Sequence, residues 1–141
     1  MAATYSSFMT TKYYSPVFNT ALFDGPFRIY FSQSYESSAL KIYHLLQTQY
    51  KELWGELKTW TNHSREHVFL LMYPDRKDLQ MVFSDNVSDP FSPVQLQAWA
   101  EGIVLGMSHP GTDLDLSTQV EQIGTLLSSW VEEQKSHEAH Q

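Results

Sequence analysis

The segment that most constrains the fold is a short apolar run, Val-Phe-Leu-Leu-Met, within residues 67–73. The run is too short for a typical helix and too apolar to lie exposed in solvent. Continuous hydrophobic runs of this length are typical of strands inside a sheet. The sequence therefore predicts a central strand here, and the rest of the chain has to supply the neighbouring strands and the covering layers.

Two hairpins are predicted around this strand. Residues 17–23 and 27–31 are joined by Asp24-Gly25, a dipeptide that readily adopts the positive φ angles of a tight turn. Apolar side chains at positions 27, 29 and 31 alternate with the others, which predicts one buried face. After the central strand, residues 74–78 form a turn, and the alternation in residues 79–83 predicts a returning strand.

Three helices are predicted. The first spans residues 35–60, where apolar side chains recur at spacings of three and four at Ala39, Tyr43, Leu46, Tyr50, Leu53, Leu57 and Trp60. A coiled-coil seam is the alternative for this stripe, but Gly55 interrupts it. The second helix begins at Ser92-Pro93, a pair typical of a helix start, and runs to about Met107. The third begins near residues 115–118, where Thr118 and Glu121 have the spacing of a capping box.

The resulting order, β-β-α-β-β-α-α, predicts the α+β class. The specific expectation is a two-layer sandwich, with a four-stranded antiparallel sheet and the helices packed on one face. Residues 16–133 form the single domain, residues 1–15 a flexible or partner-dependent arm, and residues 134–141 a frayed tail. Tyr13 and Tyr14 are unusual for a solvated arm, so the arm either lies on its own domain or docks into a partner.

The composition indicates the cellular compartment in which the protein is expected. The chain has no cysteine, which excludes disulfides and thiolate metal sites and favours a reducing compartment. The first thirty residues lack the pattern of a secretory signal, and no apolar run approaches the roughly 18 residues of a membrane span. A cytoplasmic protein that binds no membrane and no cofactor is the expectation.

Charge is distributed unevenly along the sequence. Residues 1–77 contain eight Lys or Arg and six Asp or Glu, which gives a net charge of +2. Residues 78–141 contain one Lys and ten Asp or Glu, which gives a net charge of −9. Binding to a nucleic-acid backbone is disfavoured for the second part because like charges repel. A basic protein partner is the natural complement. The residues predicted to bind it are Asp113, Asp115 and Glu121 at an exposed helix start, together with Tyr13 and Tyr14.

Small residues recur in the predicted second helix. Ala98, Gly102 and Gly106 are spaced by four, and glycine inside a helix costs about 1 kcal/mol relative to alanine. Two such glycines predict a close helix contact that compensates for this cost. The contact is expected within the chain, and a homodimer contact is the alternative.

Two patterns match metal-binding motifs superficially. Residues 63–67, His-Ser-Arg-Glu-His, satisfy the H-x-x-E-H string of some zinc peptidases, but that chemistry needs both histidines on one helix face and a third ligand. This string falls between a predicted helix and a predicted strand. Residues 113–124 begin like a calcium loop but lack the required Gly and Glu. We therefore expect no metal site and no catalytic residues.

The sequence as a whole favours a non-enzymatic protein-binding module. A small regulatory adaptor fits its size, aromatic arm and separated charge. An acidic chaperone or an immunity-type protein that sequesters a basic partner is the more specific expectation. The alternative is a small metal-assisted hydrolase with a dispersed site near His63 and His67.

Overall fold

The computed structural model describes residues 12–25, 27–64, 67–83, 92–99 and 102–139, without the side chains of 61–64, 99 and 137–139. Within this part of the chain, five strands form one sheet and four α-helices pack against it. The strands are β1 (Thr20–Asp24), β2 (Phe27–Phe31), β3 (His67–Tyr73), β4 (Val94–Trp99) and β5 (Gly102–Ser108). The helices are α1 (Glu36–Gln49), α2 (Lys51–Ser64), α3 (Arg76–Phe83) and α4 (Asp113–Ala139).

The sheet confirms the α+β class but differs from the predicted arrangement. Its order is β1-β2-β3-β5-β4, with β2, β3 and β5 mutually parallel and with antiparallel strands at both edges. The predicted four-stranded antiparallel sheet is therefore wrong. The first hairpin is present, because Gly25 adopts a φ of +56° between β1 and β2. Pro26, the residue after it, lies outside the described residues.

β3 is the central strand, as the apolar run predicted. Its side chains alternate between two buried clusters: Val68, Leu70 and Met72 pack on one face of the sheet, and Phe69, Leu71 and Tyr73 pack on the other. A strand with parallel neighbours on both sides and a layer on each face has to be apolar at every position. This requirement explains why polar and apolar residues do not alternate along the run.

The two faces of the sheet are covered differently. Helices α1, α2 and α4 cover one face, which we call the helical face, and form the larger hydrophobic cluster with it. Helix α3 and the segment around Tyr13 and Phe18 cover the opposite face. The prediction that all helices pack on one face is therefore wrong, because a sheet that is apolar on both sides needs two covering layers.

The predicted helix over residues 35–60 is two helices. α1 ends at Gln49, because the next residue, Tyr50, has a φ of −120° and a ψ of 46°, which lie outside the helical range. The buried residues of α1 are Ala39, Ile42 and Leu46, and α2 continues with buried Leu53, Trp54 and Leu57. Trp54 stacks on Phe27 of β2 with ring centroids 3.7 Å apart. Both helices lie across the sheet, so the stripe forms a sheet-packing surface as expected.

The predicted returning strand over residues 79–83 is helix α3. Asp75 caps this helix, because its Oδ1 accepts the Asp78 N–H at 2.9 Å. Leu79 and Phe83 are the buried residues, four positions apart, whereas Met81 between them is exposed. The alternation of Leu79, Met81 and Phe83 was thus misleading, and the helical spacing of the two buried residues decides the structure.

The predicted second helix over residues 93–107 is a pair of antiparallel strands, β4 and β5. The alternation of Val94, Leu96 and Ala98 with glutamines follows the period of a strand. Ser92 does not cap a helix, and its hydroxyl instead donates to the Val94 carbonyl at 2.9 Å.

The predicted helix contact at Ala98, Gly102 and Gly106 is consequently wrong. Gly102, with a φ of +139°, pairs with His67 in the ladder between β5 and β3. Gly106 lies beneath α3, where a Cβ would approach the Phe83 ring to 2.5 Å. The two glycines do allow close packing, but the neighbours are a strand and a short helix.

α4 confirms the predicted third helix with different ends. It begins at Asp113, where the Thr112 hydroxyl accepts the Asp115 N–H at 3.1 Å. The predicted capping box is wrong, because Thr118 lies inside the helix and donates to the Leu114 carbonyl. The helix continues past residue 133 to Ala139, into the segment that was expected to fray.

Candidate functional site

α4 carries several exposed acidic residues. The three acidic residues predicted to bind a partner, Asp113, Asp115 and Glu121, are exposed on it, as are Glu132 and Glu133. Their exposure follows from the buried stripe on the opposite side of the helix, which includes Val120, Ile123 and Leu127. The structure thus keeps these carboxylates in solvent, where their charge acts at long range.

Lys135 is the one lysine or arginine from residue 78 to the end of the sequence. Its ammonium lies 3.2 Å from a Glu56 carboxylate oxygen and 3.7 Å from one of Glu132. The contact with Glu56 raises the pKa of Lys135, so the ammonium is charged at neutral pH. This charge is matched by Glu56 and Glu132, and among the described residues Asp113, Asp115 and Glu121 form no ion pair.

A groove separates α4 from the edge strand β4. It has a volume of about 390 Å³ and is lined by Ser92, Val94, Gln95, Glu121, Gln122, Thr125 and Leu126. Gln122 is half-buried, and its Oε1 is buried without a hydrogen-bond donor. One of the predicted acidic residues, Glu121, therefore borders this concave surface, whereas the Gln122 oxygen is shielded from it.

A second depression lies where the parallel strands β3 and β5 end. It has a volume of about 240 Å³, and its lining includes Arg76, Pro93, His109, Asp115 and Gln119. Gln119 is buried and donates from Nε2 to the Ser108 carbonyl at 2.8 Å. This cleft occupies the carboxyl edge of the parallel strands, where open α/β sheets commonly bind ligands. Pro93 and its neighbour Ser92 connect the two depressions.

His109 is held in place beside this cleft. Its ring stacks on Tyr35 with centroids 4.1 Å apart, and Nε2 lies 3.3 Å from the Ser38 hydroxyl. Its main-chain N–H donates to the Tyr73 carbonyl at 2.9 Å. Burial lowers the pKa of His109 below its usual value, so the neutral ring is favoured in the folded state.

His109 should make the stability of the domain depend on pH. Because the pKa of His109 is lower in the folded state, the unfolded chain takes up this proton first as the pH falls below about 6.5. Stability contributed by the neutral ring is therefore present above that pH and is lost on acidification. We expect the urea midpoint to fall between pH 7.5 and 5.5, to a smaller extent in His109→Gln. An equal fall in both proteins would contradict this assignment.

The two tyrosines predicted to bind a partner are placed differently from each other. Tyr13 is buried, with its ring 5.4 Å from that of Phe83 and its hydroxyl hydrogen-bonded to Gln97 Oε1. Tyr14 is half-buried and meets the edge of Phe18. This part of the arm therefore lies on its own domain, and the remainder, residues 1–11, lies outside the described residues.

The H-x-x-E-H string is divided between two elements. His63 belongs to the last turn of α2, and His67 is the first residue of β3. The intervening Arg65 and Glu66, and the side chain of His63, lie outside the described residues. In the part of the chain that the structure describes, no three His, Asp or Glu side chains are grouped to hold a metal ion.

Sequence reasoning did not find the groove beside β4 or the surroundings of His109. The groove depends on β4 being a strand, and the alternation of residues 94–98 was the available signal for it. No sequence signal places Ser38 or Tyr35 beside His109, because these contacts join residues distant in the chain. Tertiary structure alone brings them together.

Comparisons with known proteins add no assignment. No protein-family model matches the chain, and comparison with curated proteins and with solved structures gave no significant match. Among the described helices, none is both long enough and apolar enough to cross a membrane.

Proposed function

We propose that the chain is a non-enzymatic protein-binding module that engages a basic protein partner through α4. An acidic chaperone or an immunity-type protein that sequesters its partner is the specific form of this proposal, within the wider class of small regulatory adaptors. The observation that carries it is the set of exposed carboxylates on α4, with Lys135 already paired to Glu56 and Glu132.

The location of these carboxylates supports binding over a purely solubilising role. Glu121 borders the groove beside β4, and Asp115 borders the cleft at the strand ends. Concave surfaces bury more of a partner than a convex helix face can. Each of these two acidic residues thus borders a place where a partner side chain can be enclosed. Charge of this kind mainly accelerates association and selects among partners.

Charge reversal tests the proposal. The partner is first isolated by affinity capture from a native extract and purified, and its association rate is then measured. We expect Asp115→Lys with Glu121→Lys to slow association about tenfold or more at low salt, because attraction becomes repulsion. For the unchanged protein, the rate should fall as salt rises past about 0.15 M, where the Debye length is roughly 8 Å.

The matched control changes two acidic residues on other helices. Glu36 and Glu52 are exposed in the first turns of α1 and α2, so Glu36→Lys with Glu52→Lys changes the net charge equally. This control should retain most of the association rate. If both double variants associate with the partner at the same rate, or if salt does not change the rate for the unchanged protein, the acidity of α4 serves solubility and the proposal is wrong.

A further inference from the structure

The outer edge of β4 presents main-chain groups that point away from the sheet. The Ser108 N–H donates to the Pro93 carbonyl at 3.1 Å, so these two residues form a hydrogen-bonded pair of the ladder with β5. Bonded and non-bonded pairs alternate along an antiparallel ladder. In the observed register, Val94, Leu96 and Ala98 therefore direct their N–H and C=O groups outward.

Among the described residues, two of these three have no partner for their outward groups. The Ser92 hydroxyl lies 2.9 Å from the Val94 carbonyl and 3.4 Å from its N–H, which satisfies the first residue. Along the described chain, β4 pairs with β5 alone, and no hydrogen bond reaches the outward groups of Leu96 or Ala98. Unpaired edge groups of this kind form a template for an additional strand.

The groove beside this edge offers a carboxylate and apolar surface. Glu121 supplies an exposed carboxylate, and the half-buried Leu126 supplies apolar surface. None of the described residues that line it is a lysine or an arginine. An exposed carboxylate with no lysine or arginine beside it in the groove is complementary to a positively charged ligand group.

We propose that an extended, basic segment of a partner protein adds as a strand to the outer edge of β4, with Lys or Arg side chains in the groove. The inference rests on the proposed function and specifies the form of the partner. Every second side chain of an added strand points toward the helical face. There the methylenes of a Lys or Arg can lie along Leu126 while the cationic end reaches Glu121. Main-chain hydrogen bonds supply affinity, and charge supplies selectivity.

A second copy of this chain is a less suitable occupant of the same edge. The protein carries a net charge of −7, and pairing two β4 edges would bring two acidic α4 helices to one interface. Like charges that face each other oppose association. The edge is thus better matched by a basic strand than by itself.

A peptide experiment tests this inference directly. The probe is a fluorescent heptapeptide with blocked ends, in which Arg alternates with Val, and its counterpart has Glu in place of Arg. We expect the Arg peptide to bind the full chain at least about tenfold more tightly than the Glu peptide. N-methylation of the central peptide bonds should lower the affinity of the Arg peptide by a similar factor, because it removes main-chain hydrogen-bond donors.

Proline at position 98 supplies the corresponding change in the protein. The Ala98 N–H points outward and the side chain is exposed, so Ala98→Pro removes no ladder bond but blocks the edge. We expect Ala98→Pro to lower the affinity for the Arg peptide about tenfold. Ala98→Val keeps the N–H, so its affinity should stay within about threefold of that of the unchanged protein. Urea unfolding checks that both variants are folded.

Three results would overturn strand addition: no binding of the Arg peptide at millimolar concentration, equal binding of the Arg and Glu peptides, or equal binding to the two Ala98 variants. If Ala98→Pro does not fold, amide hydrogen exchange in the unchanged protein tests strand addition instead. Added Arg peptide should then slow exchange at Leu96 and Ala98, and an unchanged exchange rate contradicts the inference.

The two proposals can also be distinguished from each other. If Ala98→Pro still binds the natural partner while Asp115→Lys with Glu121→Lys does not, the proposed function stands without strand addition.

Discussion

Replacing Gly102 with alanine is expected to lower the free energy of unfolding by more than ~3 kcal/mol. A Cβ at this position would collide with the carbonyl oxygen of His67 and would lie 2.7 Å from its main-chain nitrogen. These atoms belong to the β3–β5 ladder and cannot move without breaking it. The φ of +139° adds strain, because residues with a side chain rarely adopt it. Urea unfolding monitored by tryptophan fluorescence measures the loss.

Gly55 provides the control for this substitution. It lies inside α2, and a Cβ there would meet no atom within 4 Å. Gly55→Ala should therefore raise stability by about 0.5–1 kcal/mol through helix propensity alone. If the two substitutions shift the urea midpoint by similar amounts, the close approach of β5 to His67 is absent from the protein.

Tyr13→Ala is expected to destabilise the domain by about 3–4 kcal/mol, although Tyr13 precedes the first strand. The side chain is only 5% exposed and packs beside Phe83. Its main-chain carbonyl accepts a hydrogen bond from the Tyr73 hydroxyl at 2.6 Å, so the segment is tied to the central strand. Burial raises the pKa of Tyr73, which keeps this hydroxyl protonated as a donor.

Tyr14→Ala is the matched control, because the neighbouring ring is only half-buried. We expect it to cost less than about 1.5 kcal/mol in the same urea experiment. The pair also distinguishes a packing role from a binding role for Tyr13. If Tyr13→Ala keeps full stability and instead loses the partner, the residue belongs to the interface and the packing explanation is wrong.

The elements that could be predicted from the sequence are those defined by local signals. Asp24-Gly25 specified a turn, the apolar run at residues 67–73 specified a central strand, and the stripe with Val120, Ile123 and Leu127 specified α4. The exposure of Asp113, Asp115 and Glu121 followed from the same stripe. In each case the chain within a few residues contains the necessary information.

The predictions from the sequence were wrong where local signals conflicted, or where the structure depends on contacts between residues that are distant in the chain. Ser92-Pro93 and the spacing of Gly102 and Gly106 indicated a helix, whereas the alternation of residues 94–98 indicated a strand. Pairing with β5 across the sheet resolved this conflict in favour of the strand. The order of the parallel strands and the groove beside β4 depend on non-local pairing, which local periodicity does not encode.

The position of β3 also determines how quickly the sheet can assemble. β1 and β2 pair across a tight turn, and β4 and β5 are consecutive neighbours, so each pair can form locally and early. Val68 of β3 pairs with Phe27 on one side and with Ile103 on the other, and both are far away in sequence. Closing these loops costs entropy before any packing compensates for it. We therefore expect the insertion of β3 between the two hairpins to be the slow step of folding, and β5 must leave the ribosome before the sheet can be completed.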